Sequence, residues 1–303
     1  MESQMKKLLF IVNPRSGRTK SRAPLFDAAA RFSKAGYLVH IHMTECPGDA
    51  TRVAREQGGN YDLVVCSGGD GTLNETISGL MQLEDRPTVG YLPNGSTNDF
   101  AASLHIPSLT EKAADIVAEG LPQPLDIGAH NDRFFSYVAS FGAFTRTSYS
   151  APQATKNVLG HFAYILEGLG ELTTLRPYRC RITADGEVLE GDYIFGAVCN
   201  STSLGGVMKL SASVVNMTDG LFEVVLFQSP RTAQDLQHLI TAVTTMNYDL
   251  PGVIFRHAKT VTVDTVEDLP WSLDGEYAPS SPHVEIRNLP GAIRLMLPAE
   301  ETN

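Results

Sequence analysis

The chain has 303 residues, enough for about two domains that each bury a core. Hydrophobic residues make up 43% and charged residues 19%, which excludes an intrinsically disordered protein. Its 24 basic and 34 acidic residues give a net charge of −10, so the surface as a whole repels nucleic acid and anionic lipid. A phosphate-bearing ligand therefore needs a local group of residues to hold it.

The cysteines and the apolar runs indicate the compartment. Cys46, Cys66, Cys180 and Cys199 are too far apart for a C-x-x-C motif, so we expect buried, reduced thiols in a cytoplasmic protein. The apolar run Leu8–Val12 is shorter than a signal-peptide core. No run approaches the roughly 18 residues of a transmembrane helix, so we predict a chain that does not span a bilayer.

The first 128 residues alternate between strand-like and helix-like patterns, which predicts a parallel sheet flanked by helices. The predicted strands cover residues 8–12, 39–43, 61–66 and 88–92, and the helices between them begin near Leu25, Asp49, Thr72 and Thr110. On the second strand, Val39, Ile41 and Met43 are expected to form the buried face. His40 and His42 would then face solvent.

From about residue 130 the pattern changes to short alternating strands, which predicts a mainly antiparallel second half. Asp185-Gly186 between two alternating runs predicts a hairpin turn. Two helices are expected, at Phe162–Leu172 and Thr232–Met246, and further strands at 261–263, 284–286 and 293–297. No linker separates the halves, so we expect them to pack together with a cleft between them.

Three glycine-rich segments follow predicted strands: Asn13–Gly17, Gly68–Thr72 and Pro93–Asp99. Glycines let backbone N–H groups approach an anion, and open α/β sheets bind ligands at the carboxyl ends of their strands. The segments therefore indicate a phosphate site. A purely structural alternative for the second segment is a capping box between Thr72 and Glu75.

Basic residues cluster near the first segment, at Arg15, Arg18, Lys20 and Arg22. They form either a patch for polyphosphate or lipid headgroups or an ordinary solvated loop. The chain lacks the P-loop sequence, the G-x-G-x-x-G fingerprint, H-E-x-x-H and G-x-S-x-G. Common P-loop kinases are therefore excluded, the fingerprint of dinucleotide-binding Rossmann domains is absent, and zincins and α/β-hydrolases have no support.

Gly68–Glu75, Gly95–Phe100 and Asn13-Pro14 together resemble the diacylglycerol kinase catalytic-domain family, above all the soluble bacterial diacylglycerol kinases. The resemblance covers nearly the whole chain, including Leu125–Gly128 and Leu273–Glu276. It implies an α/β fold: an N-terminal nucleotide-binding α/β domain and a mainly antiparallel β second domain, with the active site in the cleft between them. The expected domains are 1–128 with about 292–303, which bind ATP, and 129–291, which bind lipid.

Phosphoryl transfer needs a nucleotide cradle, a metal ion and a carboxylate that receives the proton of the acceptor hydroxyl. Asp70, Asp99 and Asp126 are expected to support the catalytic network, Asp70 through Mg²⁺ or water because direct contact with phosphate is repulsive. For Asp99 and Asp126 a role as turn or cap residues is the alternative. The resemblance assigns ATP contacts to Asn13, Pro14, Arg15, Ser16, Gly17, Thr44, Gly69, Asp70, Gly71, Thr72, Leu73, Asn74, Glu75 and Ser96.

The general base of the family is a glutamate in an Asp-Gly-Glu triplet, and this chain has two, 185–187 and 274–276. Spacing alone does not choose between them. The first reads as a hairpin turn with a solvated glutamate, whereas the second has the family's C-terminal context. We therefore assign the base to Glu276.

Asp219-Gly220-Leu221 resembles the family's second Mg²⁺ site, with carbonyl ligands from Asn216 and Leu221 and a carboxylate from Asp219. The chain departs from the family where Ser213 replaces a usual proline and Ser96 a common threonine.

The function expected from the sequence is ATP- and Mg²⁺-dependent phosphorylation of diacylglycerol to phosphatidic acid, a step of phospholipid metabolism. The protein would be cytoplasmic and transiently peripheral to the inner membrane face, with no nucleic-acid partner, and the resemblance implies a homodimer. The alternatives are a kinase for a sphingoid base or another lipid alcohol, an NAD kinase, and a nucleotide-binding regulatory module without catalysis.

Overall fold

The structure is a computed structural model that describes residues 5–17, 23–143, 176–204 and 208–298. The predicted helix at Phe162–Leu172 and the side chains of Arg18, Lys20 and Arg22 lie outside the described residues. Within the described ranges, no helix is long and apolar enough to cross a membrane. The chain divides into two compact units, Met1–Leu125 with Gly291–Asn303, and Asp126–Pro290.

The first unit is an α/β domain with a parallel sheet, as predicted. Its strands are β1 (Lys6–Val12), β2 (Tyr37–Met43), β3 (Leu63–Gly68) and β4 (Thr88–Pro93). Its helices are α1 (Ala23–Lys34), α2 (Asp49–Gln57), α3 (Asp70–Leu80), α4 (Asp99–Ser103) and α5 (Thr110–Glu119), with a 3₁₀ turn at Gly58–Asn60. The strand order is β2–β1–β3–β4.

The central strands of this sheet are buried along most of their length. All six residues of β3 are buried, as are the last five of β1. Helices on both faces of a parallel sheet explain why these strands appear in the sequence as continuous apolar runs. The loops that follow these buried strands lie at the carboxyl edge of the sheet.

The predicted buried face of β2 is wrong. Ile41 and Met43 are 51% and 38% exposed, whereas Nε2 of His42 lies 2.9 Å from a carboxylate oxygen of Asp49. Among the described strands β2 pairs with β1 alone, so it is an edge strand. The expected alternation fails because an edge strand is not covered evenly on either face. Of the two histidines, His40 is exposed as predicted.

The second unit is mainly antiparallel β, in agreement with the sequence. Its strands, with the final strand that leads out of it, are β5 (Leu121–His130), β6 (Arg133–Phe135), β7 (Val138–Gly142), β8 (Tyr178–Ala184), β9 (Glu187–Cys199), β10 (Ser203–Leu204), β11 (Met208–Lys209), β12 (Phe222–Gln228), β13 (Val253–Ala258), β14 (Thr260–Asp264), β15 (Trp271–Leu273), β16 (Glu276–Ala278) and β17 (His283–Leu297). Among the described residues of this unit, helix α6 (Ala233–Thr245) begins at a capping box between Thr232 and Asp235.

Strand β9 organises the second unit because it pairs with β7, β8 and β12. The hairpin predicted at Asp185-Gly186 is confirmed as the β8–β9 connection. The core contains Trp271, Phe141 and Phe222, each at most 1% exposed.

The two strands predicted at 284–286 and 293–297 are one strand, β17. Its first part pairs with β14 in the second unit, and near its end Leu295 pairs in parallel with Val89 of β4 in the first unit. The strand passes through Pro290 and Gly291 without a break. The chain division falls between these two residues.

All four cysteines are free thiols. Cys66, Cys180 and Cys199 are buried as expected, whereas Cys46 is exposed. Burial raises the pKa of the Cys66 thiol to about 12 and that of Cys180 to about 11. These two thiols therefore stay protonated and unreactive at neutral pH.

Candidate active site

The loops predicted to bind phosphate lie together at the carboxyl edge of the first sheet. Backbone hydrogen bonds join the residues that follow the strands: Asn13 N–H donates to Ser67 O at 2.9 Å, and Thr44 N–H donates to Val12 O at 2.8 Å. Asn94 N–H donates to Gly68 O at 2.7 Å. Four strand ends are thus aligned at one edge, the position at which open α/β sheets bind ligands.

Two of the loops approach each other at glycines. A Cβ atom on Gly95 would lie 2.5 Å from the Cα of Gly69, and one on Gly69 would lie 3.1 Å from the Cα of Gly95. Gly17, with φ +90°, lies close to the residue before Gly95. A Cβ atom added to Gly17 would lie 2.6 Å from Asn94 O. Side chains are excluded from this contact, so backbone N–H groups can reach an anion there.

The side chain of Asn13 joins the first loop to α3. Its Nδ2 donates to Oγ1 of Thr72 at 2.9 Å, and its Oδ1 accepts from Arg15 N–H at 2.9 Å. The alternative capping box is wrong, because α3 begins at Asp70 without a side-chain cap. Glu75 instead accepts a hydrogen bond from Gly48 N–H at 2.8 Å.

Asp70 joins the two glycine loops. Its carboxylate accepts from the N–H groups of Asp99 at 3.1 Å and Phe100 at 3.3 Å, the first two residues of α4. Asn98 closes the loop before α4 through two hydrogen bonds with Gly95, at 2.8 and 3.0 Å. The carboxylate of Asp70 therefore positions the Gly95–Asp99 loop, a role the sequence did not indicate.

The remaining residues predicted to contact ATP differ in their exposure and in their position in the fold. Pro14, Arg15 and Ser96 are exposed at the loops. Leu73 is fully buried and its N–H donates to Gly69 O at 3.1 Å, and its contact with ATP stays a prediction. Gly71 and Asn74 lie in the first turns of α3.

Two Asp-Gly-Glu turns have the same backbone conformation and different surroundings. In both, the aspartate and the glycine have positive φ: 44° and 94° at Asp185-Gly186, 50° and 88° at Asp274-Gly275. Glu187 of the first turn makes a bidentate ion pair with Arg256, at 2.8 and 2.9 Å, which lowers its pKa.

Glu276, of the second turn, is exposed. It makes no ion pair with any residue in the described ranges. Of the two glutamates, it is the one whose carboxylate is not engaged by an arginine.

A buried carboxylate anchors the turn that carries Glu276. Asp274 is 5% exposed and accepts from three successive backbone N–H groups, Ser136 at 2.5 Å, Tyr137 at 3.0 Å and Val138 at 2.9 Å. Its own N–H donates to Val138 O at 2.8 Å. The turn is therefore tied to the start of β7 by four hydrogen bonds.

Comparison of the sequence with known families gives two matches. The family model "Diacylglycerol kinase catalytic domain" matches residues 7–130, and "YegS C-terminal NAD kinase beta sandwich-like domain" matches residues 138–297. A diacylglycerol kinase of Bacillus subtilis (strain 168) is 36% identical over 299 residues, which cover 98% of each chain. The chain belongs to the diacylglycerol kinase catalytic-domain family.

Two further likenesses agree with this assignment. A diacylglycerol kinase of Staphylococcus aureus (strain MRSA252) is 34% identical over 300 residues, 98% of this chain and 94% of that protein. A crystal structure of a candidate diacylglycerol kinase from Bacillus anthracis (strain Sterne) has 25% identity and a TM-score of 0.81, with 98% of each chain covered. The chain is therefore a lipid kinase, a phosphotransferase of a family that uses ATP and usually a divalent metal.

In this kinase Asp126 lies in the second unit, beside the turn predicted to bind a cation. Its Oδ2 accepts from Gly220 N–H at 2.7 Å, and its N–H donates to Met217 O at 3.1 Å. Asp126 is 1% exposed, so its carboxylate is a buried support of this turn. The sequence had grouped Asp126 with Asp70 and Asp99, and these two hydrogen bonds join it to the turn at residues 217–220.

The turn itself presents oxygen atoms. Asp219 is exposed, and one of its carboxylate oxygens accepts from Leu221 N–H at 2.9 Å. The carbonyl of Leu221 accepts from Asn288 Nδ2 at 3.1 Å and keeps a second lone pair. The side chain of Asn216 accepts from Thr218 N–H at 3.1 Å, so its backbone carbonyl is the candidate ligand.

The kinase has a buried acid that the sequence analysis missed. Glu223 on β12 is 0% exposed, and neither of its carboxylate oxygens has a hydrogen bond of normal geometry. Burial foremost, with a smaller effect of the Asp219 carboxylate, raises its pKa to about 8. A single acidic residue inside the apolar run Phe222–Phe227 was the signal that could have indicated it.

A polar cluster supports the loop between β2 and α2, where Thr44 is a predicted ATP contact. The Asp49 carboxylate is 5% exposed and bonds to His42, to Arg52 and, at 3.1 Å, to Glu45 N–H. These hydrogen bonds, that of His42 foremost, lower the pKa of Asp49 to about 2. Asp49 is the first residue of α2, as predicted, and the N-cap position is taken by Gly48 without a side-chain cap.

We expect Asp49→Asn to lower the free energy of unfolding by about 1–2 kcal/mol at pH 7. Because the folded pKa lies below the unfolded value of 3.8, this stabilisation is complete above that value and is lost as pH falls through about 2. Urea unfolding at pH 7 and pH 2 checks it. A difference between the variant and the wild type that stays equal at both pH values would contradict the assignment.

Proposed function

We propose that the protein is an ATP-dependent diacylglycerol kinase, which forms phosphatidic acid. The observation that carries the proposal is the close approach of Gly69 and Gly95, whose loops are joined by the hydrogen bond from Asp99 N–H to the Asp70 carboxylate. The two loops together would bind an anion at one edge of the sheet. The relatives that align over the whole chain are named diacylglycerol kinase.

The nucleotide would bind at the carboxyl edge of the first sheet. Backbone N–H groups of the glycine loops would contact its phosphates, and Arg15 would add positive charge. A divalent cation bound with ATP would offset the phosphate charge and orient the γ-phosphoryl group. Because Asp70 is held by two N–H groups of α4, we assign it first to positioning this edge.

Glu276 would act as the general base. Its carboxylate is exposed and its counterpart Glu187 is paired with Arg256, so only the former can receive a proton without breaking an ion pair. It would take the proton of the 3-hydroxyl of diacylglycerol, the oxygen would attack the γ-phosphorus, and ADP would leave. Asp274 would hold the base by anchoring its turn.

The donor set of the Asn216–Leu221 turn fits a hard cation. One carboxylate and two backbone carbonyls are oxygen ligands, and exposure of the turn leaves room for water, as Mg²⁺ requires. A cation there would stabilise the turn that Asp126 also holds, through its hydrogen bond from Gly220 N–H. The proposed ligands are Asn216, Asp219 and Leu221.

Asp219→Asn is expected to reduce the rise in Tm that Mg²⁺ produces, because the variant removes the only charged ligand among the three. Thermal unfolding with and without MgCl₂, in the absence of ATP, measures this rise. Asp249→Asn, another exposed aspartate of the second unit, is the control. An unchanged Mg²⁺ response in Asp219→Asn would count against the cation site.

The acceptor lipid lies in a membrane, so we propose transient contact with the membrane surface. The net charge of −10 opposes firm attachment to an anionic leaflet, whereas Arg15 and exposed apolar side chains such as Tyr277 favour brief contact. A homodimer is part of the same proposal and is based on the family resemblance.

A substrate assay tests the proposed function. The purified protein is given labelled ATP with diacylglycerol in mixed micelles, with a sphingoid base, or with NAD, and the labelled product is identified. We expect phosphatidic acid. Transfer to the sphingoid base or to NAD alone would overturn the proposal, and absence of transfer to all three would favour a nucleotide-binding regulatory module.

A further inference from the structure

An exposed arginine lies beside the turn that carries Glu276. Arg133 is the first residue of β6, and its Nη1 donates to the backbone oxygen of Tyr277, the residue after Glu276, at 3.0 Å. Within the described ranges Arg133 makes no ion pair. A guanidinium has five N–H donors, and this hydrogen bond uses one of them. The others can bind an anion next to β16.

The side chain of Tyr277 adds an aromatic ring to this neighbourhood. It is 58% exposed, whereas the next residue of the strand, Ala278, is buried. A tyrosine ring has an apolar body and a polar tip, and tyrosines are enriched where a membrane meets water. Arg133 and Tyr277 therefore combine a cation with an aromatic side chain suited to a membrane surface, beside the candidate base.

The acceptor lipid determines what this surface meets. The inference rests on the proposed function, in which Glu276 takes the proton of the 3-hydroxyl of diacylglycerol. A general base must come within hydrogen-bond reach of the proton that it removes. In a bilayer this hydroxyl lies at the level of the headgroups, where anionic lipids give the surface a negative potential. The residues next to Glu276 therefore reach the same level during the reaction.

We propose that Arg133 and Tyr277 form a docking surface for an anionic lipid membrane. The guanidinium pairs with phosphate oxygens of a headgroup, for which its planar set of donors is suited, and the ring enters the boundary between headgroups and acyl chains. Asp132 precedes Arg133, Glu276 precedes Tyr277, and both acids are exposed. Their charges, with the net charge of −10, keep the contact brief. The contact directs Glu276 toward the bilayer.

Sedimentation with vesicles, without ATP and without diacylglycerol, tests this surface. The vesicles contain either phosphatidylcholine alone or equal amounts of phosphatidylcholine and phosphatidylglycerol. We expect Arg133→Gln to weaken binding to the anionic vesicles about fivefold, the usual effect of one basic residue at such a surface, and to leave binding to the neutral vesicles unchanged. Tyr277→Ser is expected to weaken binding to both kinds of vesicle.

Two matched variants separate the position of these side chains from their chemistry. Arg181→Gln removes another exposed arginine of the second unit, on β8, and three strands lie between β8 and β16 in the sheet. Val188→Ser alters the 47% exposed residue after Glu187, which has the position of Tyr277 in the other Asp-Gly-Glu turn. Both variants are expected to bind vesicles as the wild type does. Wild-type binding in Arg133→Gln, or an equal loss in Arg181→Gln, would overturn the proposal.

A measurement on the unaltered chain decides the question if thermal unfolding shows that Arg133→Gln does not fold. Hydrogen exchange of the wild type with anionic vesicles is expected to show protection at residues 132–134 and 276–278. Protection confined to other segments, or a wild-type protein that does not bind anionic vesicles, would overturn the docking surface. The substrate assay reports separately on the kinase function, so a kinase active in mixed micelles without vesicle contact would refute only the docking surface.

Discussion

Replacement of Glu276 by glutamine is expected to lower kcat for lipid phosphorylation by about 10²–10⁴-fold, the usual contribution of a general base. Glutamine keeps the size of the side chain and its exposed position but cannot accept the proton of the acceptor hydroxyl. Because Glu276 is exposed, the Tm is expected to change little. Initial rates at saturating ATP and diacylglycerol, together with thermal unfolding, measure both effects.

The chain contains its own control for this variant. Glu187 occupies the same position of an Asp-Gly-Glu turn with a similar backbone conformation, but it is paired with Arg256. Glu187→Gln is expected to keep wild-type turnover. The assignment would be wrong if Glu276→Gln retained near-normal kcat, or if the loss occurred in Glu187→Gln instead.

Asp274→Asn is expected to lower the free energy of unfolding by about 3 kcal/mol. The wild-type carboxylate accepts from the N–H groups of Ser136, Tyr137 and Val138 in a buried position. An amide offers one accepting oxygen and turns its NH₂ group toward at least one of these donors, which leaves a buried donor unsatisfied. Urea unfolding measures the loss.

The same substitution is also expected to lower kcat, because the turn that presents Glu276 loses its anchor. Asp185→Asn is the matched control: its carboxylate accepts from the N–H groups of Lys259 and Thr260 at 2.9 Å, but at an exposed turn. It is expected to cost about 1 kcal/mol or less and to leave kcat unchanged. Equal losses of stability in the two variants would contradict the importance of burial at Asp274.

The local patterns of the sequence predicted much of the candidate site. Glycine at 69 and 95 and the polar residues after each strand indicated an anion-binding edge, and the structure brings these loops together. The hairpin at Asp185-Gly186 followed from turn chemistry alone. Such predictions succeed because they depend on backbone conformation and on residues close together in the chain.

Predictions that depended on distant contacts were less successful. The exposure of Ile41 follows from the position of β2 at the edge of its sheet, which no local pattern shows. Glu75 was a plausible capping residue until its contact with Gly48, 27 residues away, was known.

The sequence by itself determined the α/β class of the first half, the antiparallel second half, the acidic balance and the family. These properties follow from periodicity, composition and short motifs. Only the tertiary structure paired Glu187 with Arg256, gave Asp70 and Asp274 their backbone partners, and buried Glu223. The reason is physical: ion pairing and desolvation depend on groups that come together through folding, over separations of up to 138 residues between Asp274 and Ser136.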